Sequence, residues 1–312
     1  MRKILVTAIG GDVSNGILKI LQDTEDELYG CDIYDYPVGM DKVKDYWKSD
    51  LAVKPEYIPN LLLKCREIGI THLIPVNEME IKVIGEHIAE FDDQGIKVMI
   101  NAPFILDTFL DKYSTYEYLS KLKNISVPKT FGYDEFKEDG KKYIVKLRQS
   151  CGSKFLETIT KKAELEKFNL DKEAYIIQEY LENAQEEYTV GVFSDRDKIS
   201  TIIFRRKLLH GYSSFVELVQ DETIEKEAVE IAKSINLKGY INIQLRKQNE
   251  KNYIFEINPR ISGTVVFRHL LGFEDVLWWL KVLDNEKVDG YKCECKTAIG
   301  MRELKEKFVI LE

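Results

Sequence analysis

Short apolar runs alternate with helically spaced apolar residues through the first hundred positions. Ile4-Leu5-Val6-Thr7-Ala8 reads as a strand broken by Gly10-Gly11, after which Ile17, Leu18 and Leu21 recur at helical spacing. A second strand-like segment covers 28–34, a helical stretch 58–68, a third strand 72–76, a helix about 81–91 and a last strand 97–100. Such alternation with short connections predicts a parallel sheet covered by helices, a Rossmann-like unit. From about Lys129 the texture changes. Segments 143–147, 175–178, 187–193, 199–207, 239–245 and 253–258 read as strands, and Asp195-Arg196-Asp197-Lys198 and residues 247–252 read as hairpin connections. Ile224, Ala228, Ile231, Ala232 and Ile235 mark one face of a helix. The second region is therefore α+β with largely antiparallel pairing.

The turn Gly10-Gly11-Asp12-Val13 carries only part of a glycine fingerprint. Dinucleotide binding asks for G-x-G-x-x-G and an acidic residue roughly twenty positions on. Asp32 and Asp35 stand at that distance, but the glycine spacing does not match. These glycines read as permitting a tight strand-to-helix turn.

The 312 residues suggest two domains at roughly 150 each. With 45 Lys+Arg against 53 Asp+Glu the net charge is −8, which argues against a nucleic-acid partner while leaving room for a local basic cleft. No apolar stretch reaches transmembrane length, and the run after Met1-Arg2-Lys3 is too short for a signal peptide. Neither export nor a membrane partner is expected. Five cysteines, scattered apart from Cys293 and Cys295, read as reduced thiols of a cytoplasmic protein. Cys293-x-Cys295 has no second pair to complete a zinc site and reads as two thiols on a strand.

The segments Gly239-Tyr-Ile-Asn-Ile-Gln-Leu245 and Tyr253-Ile-Phe-Glu-Ile-Asn258 hold the most informative chemistry. Side chains alternate along a strand, so Asn242 and Gln244 share one face, and Glu256 and Asn258 share a face opposite to Phe255 and Ile257. If the segments pair, Gln244, Glu256 and Asn258 converge as hard oxygen donors of the kind that suits Mg²⁺ together with phosphate oxygens. The plainer alternative is the solvated face of a half-exposed hairpin.

Pro259-Arg260 follows directly, and the run Glu256-Ile-Asn-Pro-Arg260 resembles the signature of the ATP-grasp superfamily, nearest to carbamoyl-phosphate synthetase large-subunit-like proteins. Further elements occur in the family's order. Asp111-Lys112, opening a helix before Val127-Pro128, and Ile144-Val-Lys146 look like its two phosphate-contacting lysines. Ser150-Cys-Gly-Ser-Lys154 resembles the loop that closes over the triphosphate, with Ser153 and Lys154 as its contacts. Ile176-Ile-Gln-Glu-Tyr-Leu181 resembles the adenine linker, with Glu179, Tyr180 and Leu181 at the nucleotide. Glu187 looks like the ribose acceptor, and Arg205-Arg206-Lys207 falls where the family places a base near phosphate or acyl substrate, with Arg206 and Lys207 as candidates.

The resemblance implies a Rossmann-like domain over 1–105 and an ATP-grasp domain over 106–312, the latter with a nucleotide-lid part at about 125–180 and a metal-binding part from 181. It also implies an ADP-forming ligase that phosphorylates a carboxylate and then lets an amine displace phosphate, acting on a small amino acid or acidic sugar. Gln244, Glu256 and Asn258 would hold one or two Mg²⁺ ions, with Mn²⁺ as a substitute, and Gln244 would also face the nucleotide. Arg260 would stabilise the transferred phosphoryl group or anchor the acceptor carboxylate. A homodimer is the candidate assembly. Two other readings stay open: bicarbonate phosphorylation of the carbamoyl-phosphate or carboxylase type, and a sensor that binds ATP without turnover. His210 is placed in a loop near the acyl pocket, His269 reads as structural, no role is assigned to Cys151, and Trp278-Trp279 read as core.

Overall fold

The computed structural model describes residues 1–149, 157–168, 170–182, 186–209, 211–303, 305 and 308. The first block holds β1 (Lys3–Thr7), α1 (Asp12–Leu21), β2 (Glu27–Asp32), β3 (Asp45–Lys48), α2 (Tyr57–Ile68), β4 (His72–Ile74), α3 (Glu78–Glu86), α4 (Ile88–Asp92) and β5 (Lys97–Val98). All five strands are parallel, in the order β3-β2-β1-β4-β5. The Rossmann-like expectation therefore describes this sheet. Ile4, Leu5 and Val6 are wholly buried because helices cover both faces: Ile4 and Val6 enter one core cluster and Leu5 another. Strand β3 escaped the sequence reading because Asp-Tyr-Trp-Lys is a half-exposed edge with no apolar run. The helix expected at 81–91 is two short helices that meet at His87, whose backbone leaves the helical region.

Two helices follow, α5 (Pro103–Phe109) and α6 (Lys112–Leu119). A four-stranded sheet, order β6-β9-β7-β8, then comprises β6 (Thr130–Gly132), β7 (Tyr143–Leu147), β8 (Glu157–Ile159) and β9 (Tyr175–Glu179), with the one-turn helix α7 (Lys162–Leu165) beside it. Its core is small, built on Tyr133, Phe136, Tyr143, Val145 and Ile177.

The third sheet has six strands in the order β14-β13-β10-β11-β12-β15, every described pairing antiparallel. It comprises β10 (Glu187–Ser194), β11 (Ile199–Leu209), β12 (Tyr212–Val219), β13 (Gly239–Gln248), β14 (Lys251–Asn258) and the short edge β15 (Ile299–Met301). Helix α8 (Glu222–Ser234), capped by the Asp221 side chain, packs Ile224, Ala228, Ile231 and Ala232 against Val190, Ile241, Ile243 and Leu245. The opposite face joins the core of the parallel sheet, where Phe193, Phe204 and Tyr240 cluster with Ile4, Ile17 and Leu18. Helices α9 (Val265–Leu270) and α10 (Asp275–Leu283) close this layer, and Trp278 and Trp279 of α10 are core residues as read. Two features differ from the sequence reading. Strand β12 was not read, and the turn after β13 is only Asn249-Glu250, both with positive φ, so the strands run on to Gln248 and from Lys251.

One ion pair is completely enclosed. Arg268 of α9 and Asp275 of α10 are both without exposure, joined by Nη2–Oδ2 at 2.6 Å and Nε–Oδ2 at 3.1 Å. The same guanidinium donates to Ser262 Oγ and Thr264 Oγ1 and lies over the Tyr240 ring. Removing one member leaves a buried charge with no partner. Arg268→Met should therefore lower unfolding free energy by about 3–5 kcal/mol, and adding Asp275→Leu should recover part of it. Urea denaturation of the single and double variants measures both.

Candidate active site

Lys112 and Lys146 come from different elements and are brought together by the backbone. Asp111 caps α6 through the Tyr113 and Ser114 amides, which sets Lys112 as its first residue. The Lys112 amide donates to the Arg148 carbonyl at 3.0 Å, and the Arg148 guanidinium returns to Asp111 at 3.0 Å. Arg148 thus ties the end of β7 to the start of α6. Along β7, Tyr143 and Val145 fill the small core, so alternation turns Ile144 and Lys146 into a cavity.

That cavity has a volume of about 830 Å³ and is lined from all three sheets. The four-stranded sheet contributes Ile144, Lys146, Thr158 and Gln178, followed by Glu179, Tyr180 and Leu181 at the exit of β9. The six-stranded sheet contributes Glu187, Arg206, Asn242, Gln244, Arg246, Glu256 and Asn258. The segments after β1 and β4, including the first residues of α1 and α3, contribute Ala8, Gly11, Asp12, Val13 and Val76, Asn77, Glu78. Those two strands flank the point where the order of the parallel sheet reverses, the crevice where open α/β sheets receive ligands. Gly10 and Gly11 do form a tight turn, held by the Gly11 amide on the Ala8 carbonyl and the Gly10 amide on Asp32. The turn also delivers cavity lining, which the glycine spacing alone did not disclose.

The hairpin β13–β14 pairs Gln244 with Glu256 and Asn242 with Asn258, so the expected oxygen donors share one face. A bulge after Gln244 shifts the register, and Phe255 also lines the cavity. Strict alternation assigned Phe255 to the opposite face, and the extra residue is the reason it failed. The Lys146 ammonium lies 5.5 Å from the centre of the Phe255 ring. Beyond β14, the buried Asn101 amide donates to the carbonyls of Tyr240 and Pro259 and fixes the entry to Arg260. Arg260 grips Glu78 at 2.6 and 3.1 Å and reaches Asn258 Oδ1 at 3.4 Å.

Charge is unevenly spread along the cavity. At its centre Lys112, Lys146, Arg206 and Arg246 stand against Glu187 and Glu256, a positive surplus inside a protein of net charge −8. Lys112 Nζ is 3.6 Å from Glu256 Oε1. Burial pushes Glu256 upward, but Lys112, Lys146, Arg260 and Arg206 outweigh it and hold the carboxyl below its usual range. Lys146 is only 8% exposed, and burial, opposed by Glu256 and aided by Lys112 and Arg246, lowers its pKa to about 8. Toward the loops after β1 and β4 the carboxylates Glu78 and Asp12 are held by Arg260 and Arg302.

Of the residues singled out from sequence, Lys112, Lys146, Glu179, Tyr180, Leu181, Glu187, Arg206, Gln244, Glu256, Asn258 and Arg260 all line this one cavity. Lys207 does not. Alternation along β11 sends it to the other face, where it is exposed over Phe215, so it is set aside as a candidate catalytic residue. Ser153, Lys154, Cys151 and His210 lie outside the described residues. His269 is on α9, away from the cavity lining. Arg246, Phe255, Glu78, Asp12, Ser262 and Thr264 were missed, because each depends on a bulge, a crossing or a loop that no local pattern records. Among the described residues Cys293 and Cys295 are free cysteines, and no group of three or more His, Cys, Asp or Glu could hold a metal. None of the described helices is long and apolar enough to cross a membrane.

A family profile described as "ATP-grasp in the biosynthetic pathway with Ter operon" matches residues 171–307. Tyramine–L-glutamate ligase of Methanocaldococcus jannaschii is 31% identical over 159 residues, 50% of this chain and 44% of that protein. Carbamoyl phosphate synthase large chain of Clostridium acetobutylicum is 25% identical over 232 residues, 65% of this chain and 21% of that one. The matched chain thus spans less than half the length of these relatives. The solved structure of N5-carboxyaminoimidazole synthetase from Staphylococcus aureus complexed with ADP superposes with a TM-score of 0.76 at 14% identity, covering 97% of this chain and 82% of that one. Over residues 171–307 this chain is similar to an ATP-grasp family profile, and it shares its fold with the solved structure above.

Lys146 gives a pH test that needs no ligand. Its folded-state pKa of about 8 lies below the unfolded value, so the buried ammonium opposes folding at neutral pH. Between pH 8 and about 10.5 the unfolded chain holds the extra proton, and stability gains with pH. Lys146→Met should be more stable than the parent at pH 7, and the difference should shrink as pH rises through that window. Denaturant midpoints at pH 7, 8.5 and 10 check the sign.

Proposed function

We propose that this chain is an ATP-dependent, ADP-forming carboxylate–amine ligase acting on a small amino-acid or acidic-sugar substrate through an acylphosphate. The supporting observation is the alignment of Gln244, Glu256 and Asn258 on one hairpin face against the cationic group Lys112, Lys146, Arg206 and Arg246. A polyanion and its counter-cation need both sets at once. Phosphoryl transfer asks a protein mainly for positioning and charge neutralisation, and this cavity supplies those.

The donor set fits Mg²⁺: one carboxylate and two amide oxygens are hard ligands, and their scarcity of negative charge leaves coordination room for phosphate oxygens. These oxygens lie beside Arg206, Lys112 and Arg260, cations suited to phosphate oxygens. Gln244, Glu256 and Asn258 would hold the ion, which neutralises developing charge on the transferred group when bound. Lys112 and Lys146 draw phosphate oxygens as point charges. Residues 178–181 and Phe255 receive the base.

The carboxylate substrate, which accepts the phosphoryl group, occupies the end lined by Asp12, Glu78, Ser262 and Thr264, beside Arg260. A carboxylate oxygen there attacks the γ-phosphorus, the bond to ADP breaks, and Arg260 offsets the charge that builds on the transferred phosphoryl group. An amine then forms the carbon–nitrogen bond, phosphate departs, and the amine gives its proton to solvent. The relative named for joining tyramine and L-glutamate supports a carboxylate and an amine as the two classes.

ADP release measured across pools of amino acids, sugar acids and amines tests the reading. Turnover should require a carboxylate and an amine together, and Glu256→Gln should lower kcat by at least about a hundred-fold while the fold is kept. Tight binding of magnesium ATP with no turnover in any pool, or a Glu256→Gln enzyme of near-parental kcat, would sink the proposal.

A further inference from the structure

The nucleotide and the carboxylate substrate leave one wall of the cavity without an occupant. Leu208, Gly211, Tyr212 and Ser213, at the end of the β11–β12 hairpin, line the cavity beyond Arg206. Ser214 is an extra residue on β12, where the register steps from Lys207↔Phe215 to Leu208↔Ser213, and such a residue bends a ribbon and re-aims its side chains. The hairpin end is apolar and uncovered: Leu208 is 43%, Leu209 58% and Tyr212 54% exposed. None of the three enters the core clusters of the described residues, so the fold itself makes no use of their apolar area. Single exposed apolar side chains are ordinary, but a group of them at the mouth of a polar cavity marks a ligand surface.

Arg302 places this wall beside the carboxylate end. Its Nε donates to the Ser213 carbonyl at 3.3 Å and its Nη2 to the Gly263 carbonyl at 2.6 Å, and Gly263 stands between Ser262 and Thr264 of the acid's site. The hairpin end and that site are thus one guanidinium apart. The acid's own surroundings, Asp12, Glu78, Arg260, Ser262 and Thr264, are polar throughout. Because the amine attacks only after the acylphosphate has formed, it enters last, from the exposed rim, and only its nitrogen has to pass into the polar interior. Its body then rests on the rim. We infer that Leu208 and Tyr212 form the subsite for the body of the amine, and that this substrate is a primary amine with an apolar or aromatic body. Ammonia has no body to gain from such a contact, and a hydroxylated amine gives up hydration against Leu208 without a hydrogen bond in return. The inference deepens the ligase reading of the cavity and rests on it.

Steady-state ADP release by the full chain tests it, with magnesium ATP and the most active acid of the amino-acid and sugar-acid pools held saturating. The varied amines are ammonium, ethanolamine, butylamine and 2-phenylethylamine. In the parent, kcat/KM for 2-phenylethylamine should exceed that for ethanolamine by about ten-fold or more. Leu208→Ser and Tyr212→Ser should each reduce this ratio by about five-fold or more, mainly through KM for 2-phenylethylamine. Leu209→Ser removes a still more exposed side chain of the same hairpin end that does not line the cavity, and it should keep the parental ratio. A parent that uses ethanolamine as well as 2-phenylethylamine, or better, overturns the inference. So does a ratio unmoved in both cavity-lining variants, or one moved equally by Leu209→Ser. A loss that falls on the KM of the acid instead assigns this wall to the acid's body and overturns it too. A parent that releases no ADP with any acid and amine together removes the ligase reading and the inference with it, whereas each of the other outcomes leaves that reading standing.

Discussion

Keeping several basic side chains charged in a half-dry cavity is the constraint on which this site depends. Lys146 has little solvent to stabilise its ammonium, and it stands near Lys112 and Arg246, which repel it. What allows the arrangement is a small number of well-placed carboxylates. Glu256 answers Lys112 and Lys146, and Glu187 answers Arg206 and Arg246. At the effective dielectric of a partly buried site such contacts are worth several times their value in water, so their placement outweighs the acidic charge of the chain as a whole. The residual positive surplus is stored for an anionic ligand, and stability is given up for it.

The three sheets divide the labour of holding that arrangement. The parallel sheet presents loops from its reversal point, the four-stranded sheet presents Lys146 and the strand exit 179–181, and the six-stranded sheet presents the paired oxygens. Their relative placement is fixed by covalently distant contacts. A shared apolar cluster joins Ile4 and Ile17 to Phe193 and Tyr240. The enclosed Arg268–Asp275 pair supports Ser262 and Thr264 from below, and Asn101 holds the peptide carbonyl just before Arg260. Each of these supports lies outside the cavity or at its floor, which is how a preorganised site is kept rigid.

Much of the fold was legible locally. The runs at 4–8 and 72–76 announced parallel strands because burial on both faces demands unbroken apolar stretches. The face carrying Asn242 and Gln244 was legible because antiparallel strands with one buried face must alternate. Three edge strands, β3, β8 and β15, were not legible because they have little to bury and therefore little pattern, and the interior strand β12 was not read either. Lys207 was chosen alongside Arg206 because adjacency in sequence does not say which of two neighbours faces inward.

What the sequence determined by itself was the order of elements, the two lysines, the Glu256-Ile-Asn-Pro-Arg260 run and hence the ATP-grasp resemblance, because each is a property of a few neighbouring residues and their spacing. Only the tertiary structure decided which charges meet. Glu187, Arg206 and Arg246 lie on three strands separated by up to 59 positions, and whether they pair is set by strand register across a sheet rather than by any local preference. The same holds for Phe255, turned inward by one bulge, and for Asp12 and Glu78, the first residues of helices whose place at the cavity exists only once the sheets have packed.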